Sequence, residues 1–444
     1  MTQHKTIDGY VAGSSYPANF PLHFQPSWTD ALLLLDGRPP PRAPRAPFSY
    51  VDLGCGDGLG LIVAAASYPE GRFVGIDAMP EHIARGRALI ERLALPNIEL
   101  RQATFQEALA LPSFAADYVC AQGVLAWVSP ENQQALIDLA AQQLRPGGVF
   151  SVGYNAMPGW AWLMPFQRLV AALAEELSGT PAERFEQARA LALATGTLDA
   201  QITTLFDERL QGLPADYFAH EYLNAHWNPL WCSDVLNTMA AAGLEHIAEG
   251  SPQCLREDFA LQAKWRSALA DIASPIARTL AIDLLINRTF RVDVFCNGPM
   301  ATISDEARSA GRLAAYWYAA QPADQVDYAL ATPGGKLKFD NEAARAIMAH
   351  LQQGPMPLGA VPDMLPVDLL NTVDAMWMAG LITPAEPPTG VPHAVATNAA
   401  LRSMAASETP MNALAGRHGG IAIARESMRM RLPPTTLRRI GVPE

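Results

Sequence analysis

The sequence has few cysteines, no long apolar run and no excess of positive charge, and each absence excludes a class of protein. Its five cysteines lie far apart and form no Cys-x-x-Cys pair, which favours a reducing compartment and predicts no structural metal. No apolar run approaches the roughly 20 residues of a membrane span, and Met1-Thr2-Gln3-His4-Lys5 lacks the apolar core of a signal peptide. We therefore expect a cytoplasmic protein without a membrane partner.

Basic residues are scarce as well. The chain has 32 lysines and arginines against 44 aspartates and glutamates, and its net charge of −12 at pH 7 argues against binding to a nucleic-acid backbone. Only 17% of the residues are charged and 50% are hydrophobic, so a large core can form. A length of 444 residues predicts about two or three domains.

A glycine-rich turn is the feature around which the sequence is organised. Residues 48–53 predict a buried strand, glycines follow at Gly54, Gly56 and Gly58, and an amphipathic helix starts at Leu59. Glycine allows positive φ and close approach of a ligand, and the helix N-terminus offers free N–H groups. The last glycine of the dinucleotide motif is absent, so the turn favours a ligand without a pyrophosphate, such as S-adenosylmethionine (SAM).

An acidic residue follows the second predicted strand, residues 72–77. Asp77 stands at its carboxyl end, where a carboxylate can accept both hydroxyls of a ribose. The same side chain can cap the next helix, which Pro80 begins. These two roles are compatible, and Asp77 raises the expectation of a nucleotide-like ligand.

Three further strands are predicted at 97–101, 117–121 and 149–154, with a helix start at Ser129-Pro130-Glu131 between the last two. Thr104 follows the third strand and is a modest candidate for binding the adenine amine. Five alternations of strand and helix predict a doubly wound parallel sheet, which binds ligands at the carboxyl ends of its strands.

The sheet is predicted to close with an antiparallel pair, formed by residues 244–248 and 289–295. Two helical segments, residues 160–230 and 256–286, are then insertions over the strand ends. Such insertions would lie where a lid covers the substrate.

The two ends of the chain have a different composition. The aromatic residues 8–30 form either an arm packed on the surface or a lid that covers the cofactor, and the proline-rich residues 38–47 form an exposed connector. A helix over 305–320, a hairpin and two further helices indicate a small winged-helix-like domain, for which docking is favoured over DNA binding. Proline, glycine, serine and threonine dominate from residue 386 onward and predict a partly ordered tail.

Several longer stretches are more specific than the glycine turn. They are Val51-Asp-Leu-Gly-Cys-Gly-Asp-Gly58, Tyr154-Asn-Ala-Met-Pro-Gly-Trp160, Phe218-Ala-His-Glu-Tyr-Leu223 and Asp293-Val-Phe295. With them the chain resembles class I SAM-dependent methyltransferases that carry a methyltransferase regulatory domain, and is similar to bacterial protein lysine methyltransferases acting on outer-membrane proteins. The resemblance implies an α/β fold: a doubly wound, Rossmann-like sheet with an antiparallel closing strand, helical lid insertions and a winged-helix-like C-terminal domain.

The resemblance divides the chain into five parts. They are an arm and connector (1–47), a SAM-binding core (48–160), a helical lid or regulatory region with the last helix and two strands of the sheet (161–300), the winged-helix-like domain (301–385) and the tail (386–444).

The resemblance also implies a set of cofactor contacts for SAM, with S-adenosylhomocysteine as product. Asp77 would hold the ribose, and the glycine turn would surround the methionine part. The chain departs from the family pattern after the fourth strand, where Gln122, Leu125 and Ala126 replace a histidine, a tyrosine and a serine, so the family's acceptor is not carried over. The expected cofactor contacts are Tyr16, Asp52, Gly54, Cys55, Gly56, Gly58, Asp77, Ala78, Thr104, Phe105, Gln122, Gly123 and Val124.

Methyl transfer from a sulfonium needs alignment and exclusion of water more than it needs a metal or a strong base. Tyr154 and Asn155, after the fifth strand, are the best-placed groups to orient an acceptor. His220 and Tyr222, with their neighbour Glu221, are second candidates on the lid, where a capping or interdomain role is equally favoured.

Three functions follow from the sequence. The first is methylation of a protein side chain, with the lysine amine as preferred acceptor and a polypeptide as partner. The second is methylation of a small molecule, and the third is a non-catalytic SAM-binding scaffold or sensor. The intact glycine turn and Asp77 argue against the third.

Overall fold

The computed structural model describes residues 6–7, 10–11, 20–196, 202, 204–205, 215–332, 335–405, 411–423, 428, 430 and 432–443. The helix predicted over 198–210 lies almost entirely outside these residues, and so does Tyr16. No helix in the described ranges is both long enough and apolar enough to cross a membrane.

A mixed seven-stranded sheet forms the centre of the molecule. It follows a short antiparallel pair, β1 (Thr6–Ile7) and β2 (Tyr10–Val11). The strands of the sheet are β3 (Phe48–Leu53), β4 (Gly71–Asp77), β5 (Ile98–Gln102), β6 (Ala116–Gln122), β7 (Leu144–Asn155), β8 (Leu244–Glu249) and β9 (Phe290–Asn297). Their order is β5-β4-β3-β6-β7-β9-β8. Strands β3 to β7 pair in parallel, and β9 is antiparallel to both β7 and β8. The predicted doubly wound sheet and its antiparallel closing pair are confirmed.

Helices connect the strands and also form the lid and the C-terminal part. They are α1 (Pro26–Asp36), α2 (Leu59–Ser67), α3 (Pro80–Leu93), α4 (Phe105–Ala108), α5 (Pro130–Gln143), α6 (Met164–Glu176), α7 (Pro181–Ala194), α8 (Ala215–Tyr222), α9 (Cys232–Ala241), α10 (Pro252–Leu255), α11 (Glu257–Ala260), α12 (Ala263–Ala270), α13 (Pro275–Ile286), α14 (Asp305–Ala314), α15 (Glu342–Leu351), α16 (Pro366–Met378), α17 (Ala394–Met404) and α18 (Pro434–Arg439).

Both faces of the sheet are covered, because successive residues of β3 enter different cores. Tyr50 packs with Leu61 of α2 in one core, which also holds α1 and α16. Val51 packs with Leu136 of α5 in the other core. This is the pattern expected of an inner parallel strand, which alternates between two buried faces.

The lid is a helical unit with a core of its own. Helices α6, α7 and α8 bury Phe166, Phe185 and Phe218 against one another, and the rings of Phe185 and Phe218 stack at 5.6 Å. Thr180 starts α7 with a reciprocal capping box to Glu183. The lid therefore packs as a small unit at the edge of the sheet.

Residues 305–320 do not form the single helix predicted from the sequence. Helix α14 ends at Ala314, and β10 (Tyr316–Ala319) pairs with β14 (Ile382–Ala385) and β13 (Met356–Pro357). The aromatic run Tyr316-Trp317-Tyr318 favours a strand over a helix. A hairpin of β11 (Ala329–Thr332) and β12 (Gly335–Lys338) completes this unit. The unit contains the helices and the hairpin that the winged-helix-like domain was expected to have.

The segment predicted as a tail contains packed structure. Its described residues form α17, a hairpin of β15 (Ala413–Gly416) and β16 (Gly419–Ala422), and α18. Leu414 and Ile421 are buried against Ile62 and Val63 of α2. The prediction of a tail from residue 386 is corrected, because small and apolar residues between the prolines bury a continuous surface.

The connector 38–47 is likewise not a fully exposed segment. Arg42 is buried, and its guanidinium forms ion pairs with Glu386 and with Asp30, 3.3 Å away. The connector therefore ties the C-terminal part of the chain to α1.

Candidate functional site

A cavity of about 870 Å³ lies at the carboxyl ends of β3, β4, β6 and β7. The turn after β3, the start of α3 and the turn after β6 line one end of it. Asn155, Trp160, Thr289 and Phe290 from the far side of the sheet line the other end, together with Glu221 from α8. The volume is within the range of small-molecule sites. The cavity is therefore where the sequence placed the ligand.

The glycine turn is built from residues with positive φ. Gly54, Gly56 and Gly58 have φ values of 81°, 58° and 73°. A Cβ on Gly54 would lie 2.5 Å from Cγ2 of Val124, so this glycine also allows the turn to approach the loop after β6. Glycine is thus required here for two reasons: the turn has positive φ angles, and a side chain at Gly54 would collide with Val124.

Asp77 holds the glycine turn from the end of β4. Its Oδ2 accepts a hydrogen bond from the Gly56 N–H at 2.9 Å, and its Oδ1 accepts one from the Met79 N–H at 2.8 Å. His82 Nδ1 lies 3.6 Å from Oδ1. A carboxylate accepts about four hydrogen bonds, so two positions remain for the hydroxyls of a ribose.

Ala78, Thr104 and Phe105, which were expected to contact the cofactor, line the cavity. The Thr104 hydroxyl caps α4 by accepting from the Glu107 N–H, and it donates to the Glu107 carboxylate at 3.0 Å. Thr104 lies where the sequence placed it, but its hydroxyl is already engaged.

The remaining predicted cofactor contacts fall into two groups. Cys55, Gln122, Gly123 and Val124 line the cavity with the residues named above. Asp52 and Gly58 do not line it. Burial raises the pKa of the Asp52 carboxyl to about 7, and the Cys120 thiol is hydrogen-bonded to it. The Asp52 side chain therefore makes its hydrogen bond to Cys120 inside the protein and does not reach the cavity.

Of the predicted catalytic residues, Asn155 lines the cavity and Tyr154 does not. The Tyr154 side chain is fully buried, and its hydroxyl donates to Asp293 Oδ2 at 2.6 Å. The prediction for Tyr154 is corrected by strand geometry, because neighbouring residues of β7 point to opposite faces.

On the lid, the structure separates Tyr222 from its neighbour Glu221. The Tyr222 ring stacks on Phe185 at 5.7 Å within the core of the lid and does not line the cavity. Adjacent residues of a helix point to different sides, so Glu221 faces the cavity instead. The His220 side chain lies outside the part that the structure describes.

The wall of the cavity includes residues that the sequence did not indicate. Asn412 and Ala422 of the C-terminal segment line it, and so do Phe20 to Phe24, which belong to the N-terminal residues expected to form either a surface arm or a lid. The Asn412 side chain accepts a hydrogen bond from the Phe20 N–H. No sequence motif marks Asn412, since the contact joins opposite ends of the chain.

Residues 51–148 match the family described as a methyltransferase domain, and residues 214–297 match a predicted methyltransferase regulatory domain. The chain carries a SAM-dependent methyltransferase domain. The cofactor end of the cavity thus belongs to this methyltransferase domain, and the cofactor is S-adenosylmethionine. Glu221 belongs to the segment that matches the regulatory domain.

Known proteins resemble this chain over different lengths. An uncharacterized protein of Synechocystis is 27% identical over 70% of this chain, which spans 63% of that protein. Trans-aconitate 2-methyltransferase of Azoarcus is 33% identical over 32% of this chain and 50% of its own length. The structure of PKMT2 from Rickettsia typhi in complex with AdoHcy shares the fold over 94% of this chain and 87% of that one, with a TM-score of 0.67 and 20% identity.

Proposed function

We propose that this chain uses SAM to methylate an amine of a polypeptide, with the lysine side chain as acceptor. The observation that carries this proposal is the composition of the far end of the cavity. Asn155, Trp160, Thr289, Phe290 and Glu221 give it aromatic walls and one carboxylate, and no lysine or arginine is among these described lining residues.

An acidic, aromatic acceptor site suits an amine. Aromatic faces and a carboxylate attract a cation, whereas a carboxylate acceptor needs a basic partner. Arg85 is the one arginine or lysine among the described lining residues, and it lies on α3 beside the cofactor end. Trans-aconitate is an anion, so this arrangement disfavours the acceptor named for the Azoarcus relative.

The extent of the structural similarity supports the same acceptor. PKMT2 of Rickettsia typhi is a protein lysine methyltransferase, and its fold matches this chain through the lid and the C-terminal units. The trans-aconitate enzyme of Azoarcus matches only a third of the chain. Polypeptide docking by these additional units, and a cytoplasmic location, stay predictions.

The reaction is an in-line displacement on the SAM methyl group. The lone pair of the amine nitrogen would form the new C–N bond while the C–S bond breaks, and the electron pair of the C–S bond would stay on the sulfur of S-adenosylhomocysteine. The site aligns the two partners and excludes water. The acceptor must arrive as a neutral amine, which a buried aromatic pocket favours.

Tritium-labelled SAM tests the proposal in a cell lysate with the purified protein. Label in a protein band that survives acid hydrolysis as methyl-lysine supports it. Label only in small molecules would replace it with the small-molecule alternative. Calorimetry with SAM is run in parallel, and absence of heat would remove both enzymatic functions.

A further inference from the structure

We propose that Glu221 is a catalytic residue whose carboxylate binds the acceptor ammonium and takes its proton before methyl transfer. This inference rests on the proposed amine methylation and gives the acceptor end of the cavity a specific chemical task. It is carried by an unusual feature of the side chain, which is a buried carboxylate without a partner.

Glu221 is only 6% exposed, and it lines the cavity. Its Oε2 is buried and has no hydrogen-bond partner, and no ion pair involves this side chain in the described part of the chain. Other buried carboxylates are paired: Asp283 and Asp293 flank Arg291, and Glu249 contacts Arg288. Glu221 is thus an exception that requires an explanation.

Leaving a buried polar group unpaired costs about 1–3 kcal/mol, and a charged group costs more. Native proteins keep few such groups, and each one calls for an explanation such as a catalytic role or a bound ion. A carboxylate offers acceptors only, so the missing partner is a donor or a cation. The ammonium of a lysine side chain meets this requirement.

An ammonium bound to Glu221 would lie at the acceptor end of the cavity. The carboxylate shares the cavity with Asn155, whose backbone O accepts from the Leu230 N–H at 2.9 Å, and with Trp160, whose Nε1 donates to the Thr289 O at 2.6 Å. These bonds fix the walls of the acceptor end. The Glu221 carboxylate lines the same end of the cavity as these walls.

Burial raises the pKa of the Glu221 carboxyl to about 7. At neutral pH the side chain thus exists in both protonation states, which is the condition under which a group accepts and releases protons efficiently. An exposed lysine has a pKa of about 10.4, and removal from water in the cavity lowers that pKa, which eases the loss of the proton.

The step balances in protons and electrons. The ammonium N–H bond breaks, the proton moves to the Glu221 carboxylate, and the amine keeps its electron pair. That pair forms the bond to the methyl carbon as the C–S bond breaks. The methylated side chain then leaves the cavity. Glu221 releases its proton to water, which restores the carboxylate.

The test compares Glu221→Gln with Glu175→Gln, an exposed position on α6. Tritium transfer from SAM to lysate proteins is followed as initial rate against pH. We expect Glu221→Gln to lower the rate about 100-fold near neutral pH, and the deficit to shrink at alkaline pH, where the acceptor loses its proton in solution. Glu175→Gln should match the wild type.

Affinity for SAM separates this role from a contact to the cofactor's own ammonium. We expect the Kd for SAM to stay within about twofold of the wild type. A Kd raised roughly tenfold or more would assign Glu221 to the cofactor and overturn the inference. A melting temperature at or above the wild-type value is expected, because glutamine removes a buried charge.

Two outcomes distinguish this inference from the proposed function. If the wild type labels no protein, the proposed function fails. If the wild type labels proteins and Glu221→Gln labels them equally at every pH, only the role of Glu221 fails. The wild-type pH profile is a second check, because a rate that does not rise through an apparent pKa near 7 would also overturn it.

Discussion

The carboxylate of Asp77 accepts one N–H from the glycine turn and one from the start of α3, and it still faces the cavity. The sequence predicted both its ribose contact and its use at the next helix, because a carboxylate at that strand end is a strong positional signal. The hydrogen bond to the Gly56 N–H was not predictable, since it depends on how the turn folds back.

Substitution Asp77→Asn should weaken SAM binding by a factor on the order of 100, because it replaces a charged acceptor with an amide that cannot accept at both positions. Calorimetry with SAM measures the change. Glu81→Gln, exposed in the first turn of α3, is the matched control. Unchanged affinity in Asp77→Asn would exclude Asp77 from the cofactor site.

Arg291 is the centre of a buried ion network that no sequence motif predicts. Its guanidinium donates to both oxygens of Asp283, at 2.8 and 2.9 Å, and to both oxygens of Asp293, at 2.6 and 2.9 Å. Tyr154 donates to Asp293 as well. The predicted catalytic tyrosine thus holds strand β9 in place.

Burial by itself raises the pKa of Asp293, but the Arg291 guanidinium outweighs it and holds that pKa well below its usual range. Asp293 therefore stays ionised when folded, whereas the unfolded chain takes up a proton below about pH 3.9. Its stabilising effect is present above that pH and is lost as the pH falls further.

Substitution Asp293→Asn should lower the free energy of unfolding by about 3 kcal/mol near neutral pH, because it leaves part of a buried charge unpaired. The difference from the wild type should shrink as the pH falls below about 4. Urea denaturation at several pH values measures it, with Asp138→Asn, exposed on α5, as control. A difference independent of pH would contradict the ionised state assigned to Asp293.

At the scale of elements, helix α3 packs directly on the glycine turn. A Cβ on Gly86 would lie 2.3 Å from the Asp57 carbonyl oxygen, so the helix approaches the turn as closely as backbone allows. The sequence predicted α3 and its proline start. Gly86 alone only predicts a less stable helix, because its close contact with the turn is visible only in the fold.

Substitution Gly86→Ala should lower both stability and SAM affinity, because α3 must move away from the turn. The control is Gly60→Ala in α2, where the nearest atom to a new Cβ outside the helix's own backbone is Pro21 Cδ at 3.9 Å. That change should be neutral or stabilising by up to about 1 kcal/mol. Thermal unfolding with and without SAM measures both variants, and equal effects would contradict the packing argument.

The strands were predicted well and the connections less well, for a physical reason. Buried strands such as β6 show their burial as a continuous apolar run, here Tyr118-Val119-Cys120-Ala121, and the closing strand β9 shows it by alternation. Strand β10 was missed because four residues directly after a helix give no period of their own. Its pairing with β14 is decided by contacts distant in sequence.

At the scale of the whole molecule, the ends of the chain meet at the cofactor cavity. Gln25 donates to the Gly420 O at 2.9 Å, Ser67 Oγ accepts from the Gly416 N–H at 3.2 Å, and Asn412 joins Phe20. These contacts could not be predicted from the sequence, because residues after 386 have the composition of a linker. Only the fold brings their few apolar side chains together on α2.

A chain that ends at Ala405 should bind SAM about tenfold more weakly or worse, since it lacks the cavity wall from Asn412 and Ala422. A chain that ends at Ile423 keeps the hairpin and is the control, because it loses only the residues around α18. Equilibrium dialysis with labelled SAM compares them. Equal affinities would show that the hairpin does not complete the site.

The meeting of Phe20 with Asn412 also sets an order of events during synthesis. The ribosome releases the sheet and the lid before it has made the last wall of the cavity, so a growing chain lacks a complete pocket. The cofactor therefore binds and stabilises the growing chain less than the finished chain until residue 422 has left the ribosome. Until then the growing chain depends on its own hydrophobic cores.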